Sequence, residues 1–562
     1  MRSLADTSQL GSYQSAVDQA LGEMRQNRVI QRIFAHDHTV WKPEPTEIAN
    51  RLGWLDIAER LQTKAARLQA FTQTIRDAGY DHAVLLGMGG SSLAPEVFSK
   101  TFGVKVGFLS LSVLDTTDPA ALLNLARKLD MAKTLFIVAT KSGGTVETLS
   151  GFKYFYNQVM AAVGAEKAGE HFIAITDPGS SLIDLGQKYG FREIFLNDPN
   201  IGGRYSALSL FGLIPAALLG VDLPALLARA TAMSAVCAGN DNNPGAWLGA
   251  ALGELAKAGR DKLTFIASDG IASFGDWAEQ LIAESTGKEG KGILPVVGEA
   301  LDAPDRYGAD RVFVHLKLAS DNARDAAATA LHQAGHPVIT VEIADKLNLG
   351  GQFFLWELAT AIAGARLTIN PFDQPNVEAA KILARDMVAA YLKSGSLPAE
   401  KPILAGDGIA VYSQTGLSAT DPVSALVEFV SKAQPDAYVA LQGYVESNPA
   451  TEQLLQQIRV KLRDKTRLAT TLGYGPRFLH STGQLHKGDA GKGLFIQITA
   501  DDVEDTPIPD EAGQDASRMS FGVLKLAQAL GDGQALRDGG REVIRLHLSE
   551  LKTGLEQIAN SL

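Results

Sequence analysis

The spacing of apolar positions changes character along the chain. From Ser12 to about residue 78, apolar residues recur three and four apart in SYQSAVDQALGEMRQ and in EIANRLGWLDIAERLQTKAARLQAFTQTIRDAG, which predicts helices with one buried face. From His82 the pattern turns into short apolar runs, each followed by a turn or a helical stretch. AVLLG, GFLSLSVLD, TLFIVAT and HFIAITDP read as strands; LAPEVFSKTF, VETLSGFKYFYNQVM and LIDLGQKYG read as helices. Such alternation predicts a parallel doubly wound sheet, with ligands at the carboxyl ends of its strands. The most apolar stretch, Leu208 to Val221, is interrupted by Ser209, Gly212, Pro215 and Gly220. It falls short of the roughly 20 apolar residues of a membrane span and predicts a buried helix pair.

After that stretch the alternation resumes. KLTFIASD, DRVFVHLKL and PVITVEIAD read as strands, with FGDWAEQLIAE, NARDAAATALHQAG and QFFLWELATAIAGA as helices; SLPAEKP reads as a linker. Beyond it, GIAVYS, DAYVALQGYV, TRLATTLGYG and KGLFIQITA read as strands and EDTPIPDEAGQDA as a polar loop. VLKLAQAL and VIRLHLSELKTGLEQIANSL read as closing helices. The expected organisation is α/β throughout: a helical segment over 1–78, doubly wound domains over 79–237 and 238–398, and a C-terminal α/β segment over 399–562.

Composition narrows the function classes. At 562 residues the chain is too long for one core. A hydrophobic content of 46% and a charged content of 20% are those of a soluble globular protein. The net charge of -11 argues against non-specific binding to nucleic acid or acidic membranes. A single cysteine, Cys237, excludes intrachain disulfides and cysteine-rich metal sites and points to the cytoplasm. The N-terminus lacks the layout of a signal peptide. His36, Asp37 and His38 cluster, but no third ligand stands at metal spacing, so no metal is expected.

Chemistry concentrates in the turns. GMGGSS places Gly89 and Gly90 between a strand and a helix, where backbone N–H groups face an anion and Ser91 adds a hydroxyl. The third glycine of a dinucleotide fingerprint is here Ser92, the ribose acid is missing, and no Walker lysine follows. In TKSGGTVET, Thr140, Ser142 and Thr145 supply hydroxyls and Lys141 a charge, a set that suits a phosphomonoester; the plain alternative is a helix cap. Glu147 beside it is expected to cap the helix or point away. Arg204 in GGRYS suits a developing oxyanion or a carboxylate between domains. In WAEQLIAESTGKEGKG, Gln280 and Glu284 share a helix face, and a glutamate at that helix end suits proton abstraction; a solvated amphipathic helix end is the bland alternative. NPFDQPNVEAAK places Gln374 before a helix carrying Glu378 and Lys381, a pair that is ordinarily solvent decoration.

GMGGSSLAPE, TKSGGTVET, GGRYSALS, EQLIAESTGK and NPFDQPNVEAAK, in this order, resemble the motifs of the phosphoglucose isomerase family, from about Arg51 to Leu392. GPRFLHSTGQLHKG further resembles the isomerase half of fused transaldolase/phosphoglucose isomerase proteins. No room is left ahead of these motifs for a transaldolase barrel, so the isomerase half alone is expected, with a separate transaldolase as a candidate partner. The resemblance implies two sugar-isomerase-type (SIS) domains, no cofactor or metal, and a cytoplasmic homodimer in which a second subunit completes the site. It implies interconversion of glucose 6-phosphate and fructose 6-phosphate through a cis-enediol, as in glycolysis and gluconeogenesis. Carried over, Glu284 is the base, Arg204 stabilises the enediolate and Lys381 assists ring opening. The glycine turns with Ser91, Thr140, Lys141, Ser142 and Thr145 hold phosphate, and Gln280 and Gln374 contact the sugar. The family's ring-opening histidine falls on Leu331 here, next to His332; His480, in a loop rich in polar and glycine residues, is the alternative read from the residues alone. A non-catalytic phosphosugar-binding regulator would need the phosphate turn but not Glu284, Arg204 and Lys381 together. A nicotinamide-dependent oxidoreductase on GMGGSS would need the missing glycine and acid.

Overall fold

The structure is a computed structural model that describes residues 3–562. Three sheets carry it. The first has the order β2-β1-β3-β4-β5, all parallel, with β1 His82–Gly87, β2 Ser110–Leu114, β3 Thr134–Ala139, β4 Phe172–Thr176 and β5 Glu193–Leu196. The second has the order β7-β6-β8-β9, with β6 Lys262–Ala267, β7 Leu294–Val296, β8 Arg311–Leu318 and β9 Val338–Ile343, again parallel. Strands buried on both faces read as continuous apolar runs, which is why LLG and TLFIVA carried a clear signal. The short strands β5 and β7 span four and three residues, and β7 contains Pro295; neither was expected from the sequence.

The third sheet joins β10 Leu404–Gly406, β11 Ile409–Ser413, β12 Tyr438–Tyr444, β13 Ala469–Tyr474, β14 Gly493–Ala500 and β17 Glu542–Leu548 in the order β10-β11-β17-β14-β12-β13. A small ribbon pairs β15 Pro507–Ile508, within the expected polar loop, with β16 Met519–Ser520, just beyond it. Here the reading of VIRLHLSEL as helix is corrected: Glu542–Leu548 is a strand between β11 and β14, and the last helix starts at Leu551. Leu208–Val221 supplies one buried helix, Leu210–Leu219, which ends at Gly220 in the left-handed region before the next helix starts at Leu223. Among the described residues no helix is long and apolar enough to cross a membrane.

One core runs through the N-terminal helices and both first sheets. At its centre lies the helix Leu349–Arg366, buried from Leu349 to Gly364. The third unit has its own core, from Ile409 to Ala559, and docks through buried apolar clusters, Phe521 and Leu524 with the first domain and Leu485 and Phe495 with Ala283 and Val296, together with polar contacts. Arg459 Nη1 donates to the Val297 carbonyl at 2.9 Å and Arg463 pairs with Asp302 at 2.6 Å. Its sheet switches direction between β12 and β14, the crevice where a doubly wound sheet ordinarily binds ligand. Residues beyond both of these strands are tied to the first domain instead: Asn124 donates to Glu446 at 2.7 Å, and Lys525 bridges Asp502 to Asp118 at 2.8 Å.

The closest approach is at Gly287, where a Cβ would stand 2.2 Å from Leu485 Cα of the third unit. Gly287→Ala must push the third unit away. Its unfolding free energy, measured in urea, is expected to fall by about 2 kcal/mol or more, as for overpacked cores; an unchanged midpoint would contradict this packing.

Candidate active site

The first sheet switches direction between β1 and β3, and the two glycine turns follow these neighbouring strands, whose ends are level at Gly87 and Ala139. Gly89 has φ 52, and a Cβ there would lie 2.7 Å from the His480 carbonyl and 2.8 Å from Gln280 Nε2. At Gly90 it would lie 1.9 Å from the Gly203 carbonyl, so only glycine lets the GGRYS turn come this close. Ser91 is half-buried beside them, and Ser92 is buried with its hydroxyl on Asp115 at 3.1 Å.

In the second turn the Thr140 and Thr145 hydroxyls stand 2.8 Å apart. Thr145 precedes the helix Val146–Val163, yet its side chain caps no backbone N–H, so the ordinary helix-cap reading does not hold. Ser142 is exposed and its hydroxyl accepts from Gly144 N at 3.4 Å. Lys141 differs from expectation: its ammonium pairs with Asp177 and donates to the Pro199 carbonyl at 3.0 Å.

Glu284 lies in the last turn of the helix Phe274–Thr286, four residues after Gln280. Its Oε1 stands 3.2 Å from Arg204 Nη1, and its Oε2 accepts from Gln280 Nε2 at 3.0 Å. Arg204 is itself buried. Nε donates to Ser285 Oγ at 2.8 Å, Nη1 to Gln374 Oε1 at 2.7 Å, and Nη2 to the carbonyls of Pro371 at 2.7 Å and Asp373 at 2.9 Å. Four of the five guanidinium N–H groups are thus hydrogen-bonded, and Nη1 adds the ion pair to Glu284. The oxyanion role and the carboxylate-pairing role of Arg204 are therefore not rivals: it holds a carboxylate, and that carboxylate is Glu284.

Gln280 Nε2 also donates to the His480 carbonyl at 2.8 Å. His480, in the turn Arg477–His480 of the third unit, directs Nε2 to Glu147 Oε1 at 3.0 Å. Gln528 donates to the same oxygen at 2.7 Å. Burial opposes the charge on Glu147, but His480 and Gln528 outweigh it and hold the carboxyl below its usual range. Glu147 is thus buried from solvent, with its carboxylate held by His480, by its own backbone N–H in the first turn of its helix, and by Gln528. Continuous contacts run from Thr145 and Glu147 through His480 and Gln280 to Glu284 and Arg204.

Residues 52–288 match the family model for phosphoglucose isomerase. The chain is 29% identical over 360 residues to glucose-6-phosphate isomerase of Rubrobacter xylanophilus, covering 55% of this chain and 83% of that protein. It is 28% identical over 425 residues to the enzyme of the same name from Symbiobacterium thermophilum, covering 64% of this chain and 94% of that one. Among solved structures, a hypothetical protein from Thermus thermophilus superposes with a TM-score of 0.59 at 24% identity, over 68% of this chain and 99% of that one. A glucose-6-phosphate isomerase from Chlamydia trachomatis gives 0.56 at 20% identity, over 66% of this chain and 86% of that one. These last two show a shared fold. The family-model match and the two relatives make this chain similar to phosphoglucose isomerases.

The matched range ends at Lys288 and so takes in Glu284 and Arg204 but not Gln374, Lys381, His332 or His480. Of these, the structure brings Gln374 and His480 to the cluster. Lys381 is exposed and lies 3.9 Å from Glu378, the solvent-side pair its spacing allowed. His332 sits on the helix Asp325–Gln333, whose Ala328 and Leu331 pack with Phe313 and Val338, and among the described residues it makes no ion pair or side-chain hydrogen bond with the cluster. His36 and His38 fit no metal site: among the described residues no group of three or more His, Cys, Asp or Glu could hold a metal ion.

Sequence reading passed over Lys288 as a residue beyond the helix. It is buried, with Nζ 2.7 Å from Asp373 Oδ1 and bonded to the Asp373 carbonyl. Two cations thus hold the Pro371–Gln374 turn, Arg204 from one side and Lys288 from the other. Burial, with Arg204 next, pushes the Lys288 ammonium down to about 8. A lysine depressed in the folded state loses its proton there before it does in the unfolded chain, so stability rises with pH between about 8 and the ordinary lysine range near 10.4. The stability advantage of wild type over Lys288→Met, from urea unfolding, is expected to grow from pH 7 to pH 9.5. A constant or shrinking difference would contradict this placement.

Proposed function

We propose that the chain is an aldose–ketose isomerase that interconverts glucose 6-phosphate and fructose 6-phosphate, with Glu284 as the base that moves a proton between C2 and C1. The observation that carries this reading is the placement of Glu284. A carboxylate at a helix end is held by Arg204 on one oxygen and Gln280 on the other, and Gln280 in turn stands against Gly89 of the first glycine turn. The turns with Gly89, Gly90, Ser91, Thr140, Ser142 and Thr145 receive the phosphate.

Charge accounting gives the step. Glu284 takes the C2 proton and becomes neutral, and negative charge appears on the enediolate oxygen. Arg204 is occupied by protein acceptors, and its longest contact is the one to Glu284 at 3.2 Å. Protonating Glu284 ends that ion pair as the new anion forms, so one cation serves the base first and the intermediate next. Gln280 Oε1 is buried and meets no donor, and is an acceptor suited to a sugar hydroxyl. His480 is the better candidate for ring opening than His332. Its Nε2–H is directed at Glu147, which leaves Nδ1 as an acceptor for a hydroxyl proton. Lys381 reaches the site only if its helix moves.

Glu284→Gln is expected to lower turnover by about a thousandfold, the scale of a lost general base, and to abolish solvent-proton exchange at C2. Inorganic phosphate should bind it as it binds wild type. Turnover within tenfold of wild type would refute the assignment. His480→Ala is expected to lose turnover on ring-closed substrate while keeping it on an open-chain analogue; equal loss on both would clear His480 of ring opening.

A further inference from the structure

We infer that the C-terminal α/β unit completes the active site in cis, so that each chain carries one whole site, and that Gln528 is its positioning residue. The inference rests on the reading of His480 as the ring-opening group.

Three residues of this unit, His480, Gln528 and Gln484, reach the cluster or the segments that hold it. The turn Arg477–His480 brings His480, whose ring meets Glu147 and whose carbonyl meets Gln280. Arg477 anchors that turn to the first domain, pairing with Glu96 and, at 3.1 Å, with Asp115. The helix Phe521–Asp538 brings Gln528, buried, with Nε2 on Glu147 Oε1 at 2.7 Å and Oε1 accepting from Thr117 at 2.8 Å. With both ends of its amide fixed, Gln528 has one orientation, and that sets the Glu147 oxygen on which His480 is hung. Gln484, fully buried, donates to the Gly287 carbonyl at 2.9 Å and to Asn376 Oδ1 at 2.7 Å, and accepts from Asn376 N at 2.9 Å. It thereby caps the helix that carries Glu284 and ties it to the segment that follows Gln374.

Both close approaches need glycine. A Cβ at Gly89 would strike the His480 carbonyl, and one at Gly488 would lie 2.3 Å from the Gly287 carbonyl. Backbone this tight, on opposite sides of the cluster, leaves the third unit as a wall of the site. A site shared between two copies would need His480 of one chain against Glu147 of another; here the pairing is made within one chain.

Complementation separates the two arrangements. Glu284→Gln and His480→Ala chains, co-produced in one cell, would regenerate intact sites in mixed dimers if the site were shared, about a quarter of the wild-type activity for random pairing. With sites in cis, activity on ring-closed substrate stays at the level of the two variants produced separately. That is the expected result, and recovery towards a quarter overturns the inference. If His480→Ala alone keeps full turnover on ring-closed substrate, the ring-opening reading fails and the inference with it, an outcome distinct from recovery on mixing. For Gln528, the Gln528→Leu variant is expected to lose about tenfold on ring-closed substrate while keeping its open-chain turnover, as for a lost hydrogen bond to a charged group. Equal loss on both substrates would make Gln528 merely structural and overturn its assignment.

Discussion

The geometry of the cluster depends on one buried guanidinium. Arg204 directs its donors to Ser285, Gln374, Glu284 and the carbonyls of Pro371 and Asp373, and so joins a turn of the first domain, the end of a helix in the second, and the proline turn beyond it. A buried ion pair costs desolvation, and removing one partner typically costs ~3–5 kcal/mol because the other is stranded. Such a pair does little for stability alone. It makes sense where the carboxylate must stay ionised until a substrate proton reaches it and where the cation must then face a new anion.

The third unit is the second constraint. Its docking ties residues beyond β12 and β14 to Asn124 and Asp118 of the first domain, and it turns a histidine, two glutamines and an arginine towards the first two domains. Glu147 gains its meaning from this arrangement. On the helix after the second glycine turn it is a buried acid close to the hydroxyls proposed to hold a phosphate, an unfavourable neighbour unless engaged. His480 and Gln528 engage it.

Much of this could be read from the chain alone, and the exceptions have physical causes. The glycine turns after β1 and β3 were legible because glycine at a strand end, followed by hydroxyls and a helix, has few other uses. Gln280 and Glu284 were legible because four-residue spacing places side chains on one helix face. Glu542–Leu548 was misread as helix although Ile544, Arg545, Leu546, His547 and Leu548 alternate apolar and polar, because the run merges with the helix that starts at Leu551. The contact between His480 and Glu147 spans more than three hundred positions and has no local signature. Lys141 and Lys381 carried the right charge in the right motif, but their ion pairs to Asp177 and Glu378 are set by packing that spacing does not encode. Lys288 was passed over for the opposite reason, since a lysine after a helix end looks solvent-exposed until the Pro371–Gln374 turn covers it.

The most direct test is a crystal structure of Glu284→Gln with fructose 6-phosphate bound. The phosphate is expected against the turns at Gly89–Ser91 and Thr140–Thr145, with C2 within contact distance of the residue 284 side chain and His480 of the same chain near the ring oxygen. A phosphate bound elsewhere, or a sugar whose C2 lies out of reach of residue 284, would contradict the account.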